Sequence, residues 1–157
     1  MLDKKEKARI AVLISGGGTN LQALIDAQES GIIESGELVL IVSTNPDAYG
    51  LERARKAGIE NIYIESEKKG FCPNFEAGLD KELRARKIDL IILAGFMKIL
   101  SEDFVSKYVD RIINVHPSLI PSFCGKGAYG LHVHEMALNY GVKVTGATVH
   151  FVNEVPD

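Results

Sequence analysis

Apolar positions along the chain gather into short unbroken runs: Ile10–Ile14, Leu38–Ser43, Asn61–Ile64, Asp89–Ala94, Arg111–Ile113 leading into Asn114–His116, and Gly146–Val152. Runs of this length without alternation are the pattern of strands covered on both faces of a parallel sheet. Between them lie segments with helical spacing. One begins at Leu21, a second spans Tyr49–Lys56 and stops at Gly58, and a third spans Phe75–Lys87 with Leu79 and Leu83 on one face. Short helices are expected over Phe104–Tyr108 and Leu131–Asn139. Strand and helix alternate, so right-handed crossovers follow, and the predicted fold class is α/β: an open, mostly parallel, twisted sheet with helices on both faces. Asp89–Ala94 is the most apolar run and should lie centrally. Glu65–Asn74, broken by Gly70 and Pro73, reads as a surface loop, and glycine-rich Ser122–Gly130 as a flexible one.

Composition narrows the picture. With 157 residues, 46% of them hydrophobic and 25% charged, the chain suits one globular domain, 1–157. A net charge of -3 offers no electrostatic footprint for nucleic acid or an anionic membrane. The basic residues of Lys4–Arg9 alternate with an acid and read as a solvated tail. No run has the length of a bilayer span and no signal-peptide core follows Met1, so the expectation is a soluble, cytoplasmic protein. Cys72 and Cys124 are too few and too far apart for a disulfide framework or zinc site and read as reduced thiols.

The candidate chemistry sits after three of the strands. Ile14 runs directly into Ser15-Gly16-Gly17-Gly18-Thr19-Asn20. Glycines let the backbone turn tightly and expose its N–H groups, and Thr19 or Asn20 can cap the helix that follows. A strand, a glycine turn and a helix N-terminus together favour a phosphate or carboxylate; the same turn would equally serve to pack the helix close to the sheet. No Gly-Lys-Ser/Thr follows and the full Gly-x-Gly-x-x-Gly pattern is missing, so a small phosphorylated substrate fits better than ATP or NAD. Asn114 and His116, two apart on a strand, point to one face beyond its carboxyl end, where open α/β sheets bind ligands. The apolar loop Gly95–Leu100 can line a pocket for a flat ring or pack into the core. His132 and His134 face apart on a helix and lack a third ligand of suitable spacing, so no metal is expected, and His150 reads as structural within the sheet.

Several stretches together resemble the folate-dependent formyltransferases, most closely the branch that formylates phosphoribosylglycinamide (GAR) in purine synthesis. They are Ile14–Gln22, Leu93–Met97, Asn114-Val115-His116-Pro117-Ser118-Leu119-Ile120-Pro121 and Val144–Val152, in the family's order. The resemblance implies a Rossmann-like formyltransferase fold, 10-formyltetrahydrofolate as cosubstrate, GAR as acceptor, no metal, and catalytic residues Asn114, His116 and Asp157. It implies a substrate-phosphate loop of Gly16, Gly17, Gly18, Thr19 and Asn20, and a folate site of Phe96, Met97, Lys98, Ile99, Leu100 and Asn114. It leaves a homodimer possible. Lys98 stands where many members have Arg, which keeps the charge and loses a planar, bidentate donor. The family's loop after Pro121 varies in length, and its members continue past the position of Asp157 through a further strand and helix, so a domain lacking that part is expected. Two rival readings are a formyltetrahydrofolate hydrolase of the same superfamily and an incomplete, inactive ligand-binding domain.

Overall fold

A computed structural model of the chain describes residues 6–67, 72–125 and 127–153. Its centre is β1 (Ala8–Ile14), whose residues Ala11 to Ile14 are wholly buried. β2 (Gly36–Ser43) and β3 (Glu60–Tyr63) extend the sheet on one side, and β4 (Leu90–Leu93), β5 (Ile112–His116) and β6 (Thr148–Phe151) on the other. All pairs are parallel except β5 with β6, which is antiparallel. The expected open, mostly parallel sheet is thus present, and Leu90–Leu93 lies inside it as its apolarity requires.

Period two along β1 divides the core. Ala11 and Leu13 face α3 (Pro73–Ala85) and α4 (Glu102–Ser106), where Phe75, Leu79, Leu83 and Phe104 complete one cluster. Ile10, Val12 and Ile14 face α1 (Thr19–Glu29) and α2 (Tyr49–Lys56), where Leu21, Ile25, Leu51 and Ala54 complete the other. Helices therefore cover both faces. The remaining helix, α5 (Gly130–Tyr140), precedes β6 and buries Val133 and Ala137.

The boundaries differ from the sequence reading for local reasons. β1 starts at Ala8, so Arg9 is part of the sheet rather than a solvated tail. Its main-chain N–H donates to Asp89 Oδ2 at 2.8 Å and its Nε–H to the Arg86 carbonyl at 2.6 Å. α3 starts two residues early because Pro73 suits the first helical turn, whose N–H has no partner to lose. It ends at Ala85, with Lys87 left-handed at φ 51°. α4 starts at Glu102, where Ser101 caps it by accepting from the Phe104 N–H. Glu65–Asn74 and Ser122–Gly130 contain no strand among their described residues, and Gly130 already belongs to α5. Among the described residues no helix is long and apolar enough to cross a membrane, and both Cys72 and Cys124 are free thiols.

Candidate active site

The carboxyl ends of β1, β4 and β5 lie on one edge because these strands are parallel and adjacent. After β1 the chain returns through α1 to β2 on one side, whereas β4 lies on the other, so the strand order switches direction between β1 and β4, the place where open α/β sheets bind ligands.

The glycine turn forms the first wall. Gly18 has φ 71°, and a Cβ there would stand 2.7 Å from the Gly50 Cα. Backbone therefore touches backbone, and only glycine fits. The turn is fixed from α2: Gly50 N–H donates to the Gly16 carbonyl at 3.1 Å, and Arg53 Nε–H to the Gly17 carbonyl at 2.8 Å. Arg53 also reaches Gln22 Oε1 at 3.0 Å and lies over the Tyr49 ring. Neither Thr19 nor Asn20 caps α1, contrary to expectation. The N-cap is Gly18 itself, without a side-chain hydrogen bond, and the two polar residues are already inside the first turn and exposed. That turn carries no acidic residue to offset the positive end of the helix. The helix N-terminus puts positive field beside this turn, as does Arg53, which sequence reasoning missed. Its signal was only its place in a helix whose start packs on the turn.

The loop after β4 forms the second wall, and its residues divide. Phe96 stacks on Phe75 with centroids 5.9 Å apart, and Leu100 also packs on the α3 cluster. Met97 and Ile99, 55% and 76% exposed, remain available to a ligand. Lys98 does not extend into solvent: its ammonium donates to the Glu67 carbonyl at 2.6 Å. Cys72 donates to the same carbonyl at 3.7 Å, and burial pushes its thiol pKa up. The end of the loop is clamped by buried Glu76, whose carboxylate accepts from the Ser101 N–H and hydroxyl at 2.6 and 2.5 Å. At the front, Met97 N–H donates to Ser15 Oγ at 3.0 Å, joining the two walls.

At the end of β5, Asn114 and His116 share one face, as their spacing predicts. His150 stands opposite Asn114 in the antiparallel register, with Asn114 Nδ2 3.2 Å from His150 Nε2. His150 Nδ1 lies 3.2 Å from the Phe151 carbonyl, which can only accept, so Nδ1 carries the proton and Nε2 accepts from the amide. His150 is therefore an orienting partner of Asn114, in the last strand of the described sheet. His116 is 5% exposed, and its Nε2 lies 2.9 Å from the Phe123 carbonyl. By the same reasoning that nitrogen bears the proton. Phe123 is left-handed at φ 52°, its ring against Tyr140 and its carbonyl turned to His116. Ser118, fully buried, donates to the Ser122 carbonyl, while Thr148 donates to the Ser118 carbonyl at 2.6 Å and accepts from Ile120 N–H at 3.1 Å. The turn after β5 is thus held by β6 as well as by its prolines. Asp157 lies outside the described residues. His132 and His134 are both exposed on α5, and His132 is 3.5 Å from Glu135; among the described residues no cluster of His, Cys, Asp and Glu suits a metal.

The fold is a doubly wound α/β sheet with a glycine turn at a helix N-terminus and an amide–imidazole pair on one carboxyl edge. Comparison with known proteins narrows the class. The formyl transferase family matches residues 8–157, and the chain belongs to that family. It is 45% identical to the trifunctional purine biosynthetic protein adenosine-3 of Drosophila melanogaster over all of its own length, which is 11% of that protein. It is 42% identical to phosphoribosylglycinamide formyltransferase of Haemophilus influenzae, with 95% of this chain and 68% of that protein covered. The crystal structure of glycinamide ribonucleotide transformylase 1 from Symbiobacterium toebii superimposes with a TM-score of 0.85 at 42% identity, over 96% of this chain and 68% of that one. The chain thus spans about a tenth of the trifunctional relative and about two thirds of the single-activity ones.

Proposed function

We propose that this chain serves as a formyltransferase domain that moves the formyl group of 10-formyltetrahydrofolate to the amino group of GAR. The observation that carries this reading is the placement of Asn114 and His116 at the end of β5, on the carboxyl edge shared with the glycine turn, in a chain of the formyl transferase family. The glycine turn and the start of α1, from Gly16 to Asn20, take the substrate phosphate through backbone N–H groups and the helix field. Met97 and Ile99 offer apolar contact to the folate ring. Lys98, committed to Glu67, acts on the folate site by holding the 65–67 segment against the loop after β4.

The neutral amine attacks the formyl carbon; a C–N bond forms and the carbonyl electrons move to oxygen. Asn114 donates a preorganised hydrogen bond to that oxyanion, an interaction worth about 3–4 kcal/mol where such a donor has been removed. His150 fixes the orientation of the amide. The tetrahedral intermediate then expels the folate nitrogen, which takes up a proton, while the former amine loses one. With its Nε2–H held by Phe123, His116 exchanges protons through Nδ1. Asp157 favours the imidazolium and accepts the amine proton, directly or through water.

The test is a folate-absorbance assay on the protein that carries this chain, with and without GAR. GAR-dependent turnover is expected, and His116→Ala should lower it at least ~10²-fold with the fold retained. Formyl release without GAR would assign a hydrolase instead, and near-normal turnover in His116→Ala would exclude the role given to the imidazole.

A further inference from the structure

Ser15 is the first residue past the β1 ladder. The last main-chain bonds to the flanking strands are Ala94 N–H to the Leu13 carbonyl at 2.9 Å and Thr44 N–H to the Ile14 carbonyl at 3.3 Å. One residue on, the Ser15 hydroxyl bonds both sides. It accepts from Met97 N–H at 3.0 Å on the β4 side and lies 3.0 Å from the Thr44 hydroxyl on the β2 side. The next residue, Gly16, is bonded through its carbonyl to Gly50 and opens the glycine turn. A single hydroxyl thus joins the loops that follow β1, β2 and β4, at the point where the strand order switches direction.

We propose that Ser15 is a positioning residue that sets the glycine turn and the loop after β4 at one fixed offset, so that each loop's geometry depends on the other. This deepens the function proposed above and rests on it in assigning the phosphate-bearing substrate to one loop and the folate to the other. A reaction between an amine anchored on one wall and a formyl group anchored on the other is sensitive to their separation, since reacting atoms must come within about 3–3.5 Å. A hydroxyl is needed because the site must accept from a main-chain N–H and bond a second hydroxyl at the same atom. Alanine supplies neither; threonine supplies both.

The test compares Ser15→Ala and Ser15→Thr with the parent protein by two readouts. Amide hydrogen exchange of the unliganded protein follows two sets: Met97, bonded to Ser15, and Gly50 with Gln22, whose N–H groups donate to the Gly16 and Gly18 carbonyls. In Ser15→Ala both sets should exchange about tenfold faster or more, while helix α3 is unchanged; in Ser15→Thr neither set should move beyond about twofold. Steady-state kinetics should show KM for GAR and for 10-formyltetrahydrofolate both rising about three- to tenfold in Ser15→Ala, as expected for loss of one hydrogen bond, with recovery in Ser15→Thr. Acceleration confined to Met97, a rise in only one KM, or a threonine variant as impaired as the alanine one overturns the proposal. If the parent protein transfers no formyl group to GAR, the proposed function fails, and the exchange readout alone still decides whether Ser15 couples the loops.

Discussion

Adding a methyl group to Gly18 tests whether the glycine turn is held by contact between two backbones. In Gly18→Ala the residue must keep φ near 71°, a conformation that costs an L-residue about 1–2 kcal/mol. Its Cβ would lie 2.7 Å from the Gly50 Cα. Gly50 is poorly placed to retreat: its N–H is committed to the Gly16 carbonyl, and its own side faces Ile14, where a Cβ would stand 2.3 Å from Cδ1. Overpacking of this kind costs about 1–3 kcal/mol. Lower freedom of the unfolded chain returns about 0.4–1 kcal/mol, leaving a net loss of about 1–4.5 kcal/mol. With a urea slope of about 2 kcal/mol/M, the unfolding midpoint should fall by roughly 0.5–2 M at an unchanged slope. Gly17→Ala is the control, since nothing lies within 4 Å of its added Cβ and its φ is not left-handed. It should stay within about 0.5 kcal/mol. Equal midpoints for the two variants would refute the argument, because only one of them meets backbone.

Two further outcomes follow from buried polar groups. Glu76→Ala leaves the Ser101 N–H and the start of α4 without their carboxylate partner, so a loss of about 2–4 kcal/mol is expected in urea unfolding, and a loss under 0.5 kcal/mol would mean that the clamp on the loop after β4 is idle. Burial, reinforced by its hydrogen bond to Asp80, pushes Tyr108 up from 10.0 to about 12. The neutral phenol is therefore favoured in the folded state, and this contribution, about 2 kcal/mol, is complete below pH 10 and lost as pH rises through 12. Tyr108→Phe should flatten that alkaline decline of stability, and an unchanged decline would remove Tyr108 as its cause.

The parts of the fold that could be read from the chain are those set by local pattern. Ile10–Ile14 and Asp89–Ala94 announce buried strands because no alternation interrupts them, and both lie inside the sheet. Asn114 and His116 could be paired because two residues on one strand always share a face. The cap of α1 could not be read, since Thr19 and Asn20 have the right chemistry and lose the position only because Gly18 must approach Gly50, a residue 32 positions away by their numbers. The fate of the apolar loop after β4 was likewise open: Phe96 goes to the core because Phe75 is there to receive it, and Met97 remains exposed because its N–H is drawn to Ser15.

The candidate site depends most on relations that only register creates. His150 orients Asn114 because β6 turns back antiparallel and pairs Asn114 with His150 and His116 with Thr148. A slip of one residue would set Val149 or Phe151 against Asn114 and send the imidazole to the opposite face. Thr148 resists that slip, since its hydroxyl bonds both the Ser118 carbonyl and the Ile120 N–H of the turn after β5. The same turn presents the Phe123 carbonyl to His116, so the imidazole is held by the turn and the amide by His150, and Thr148 ties that turn to the strand that carries His150. Thr148 and His150 therefore hold the geometry around Asn114 and His116, although no spacing within the chain connects the two pairs.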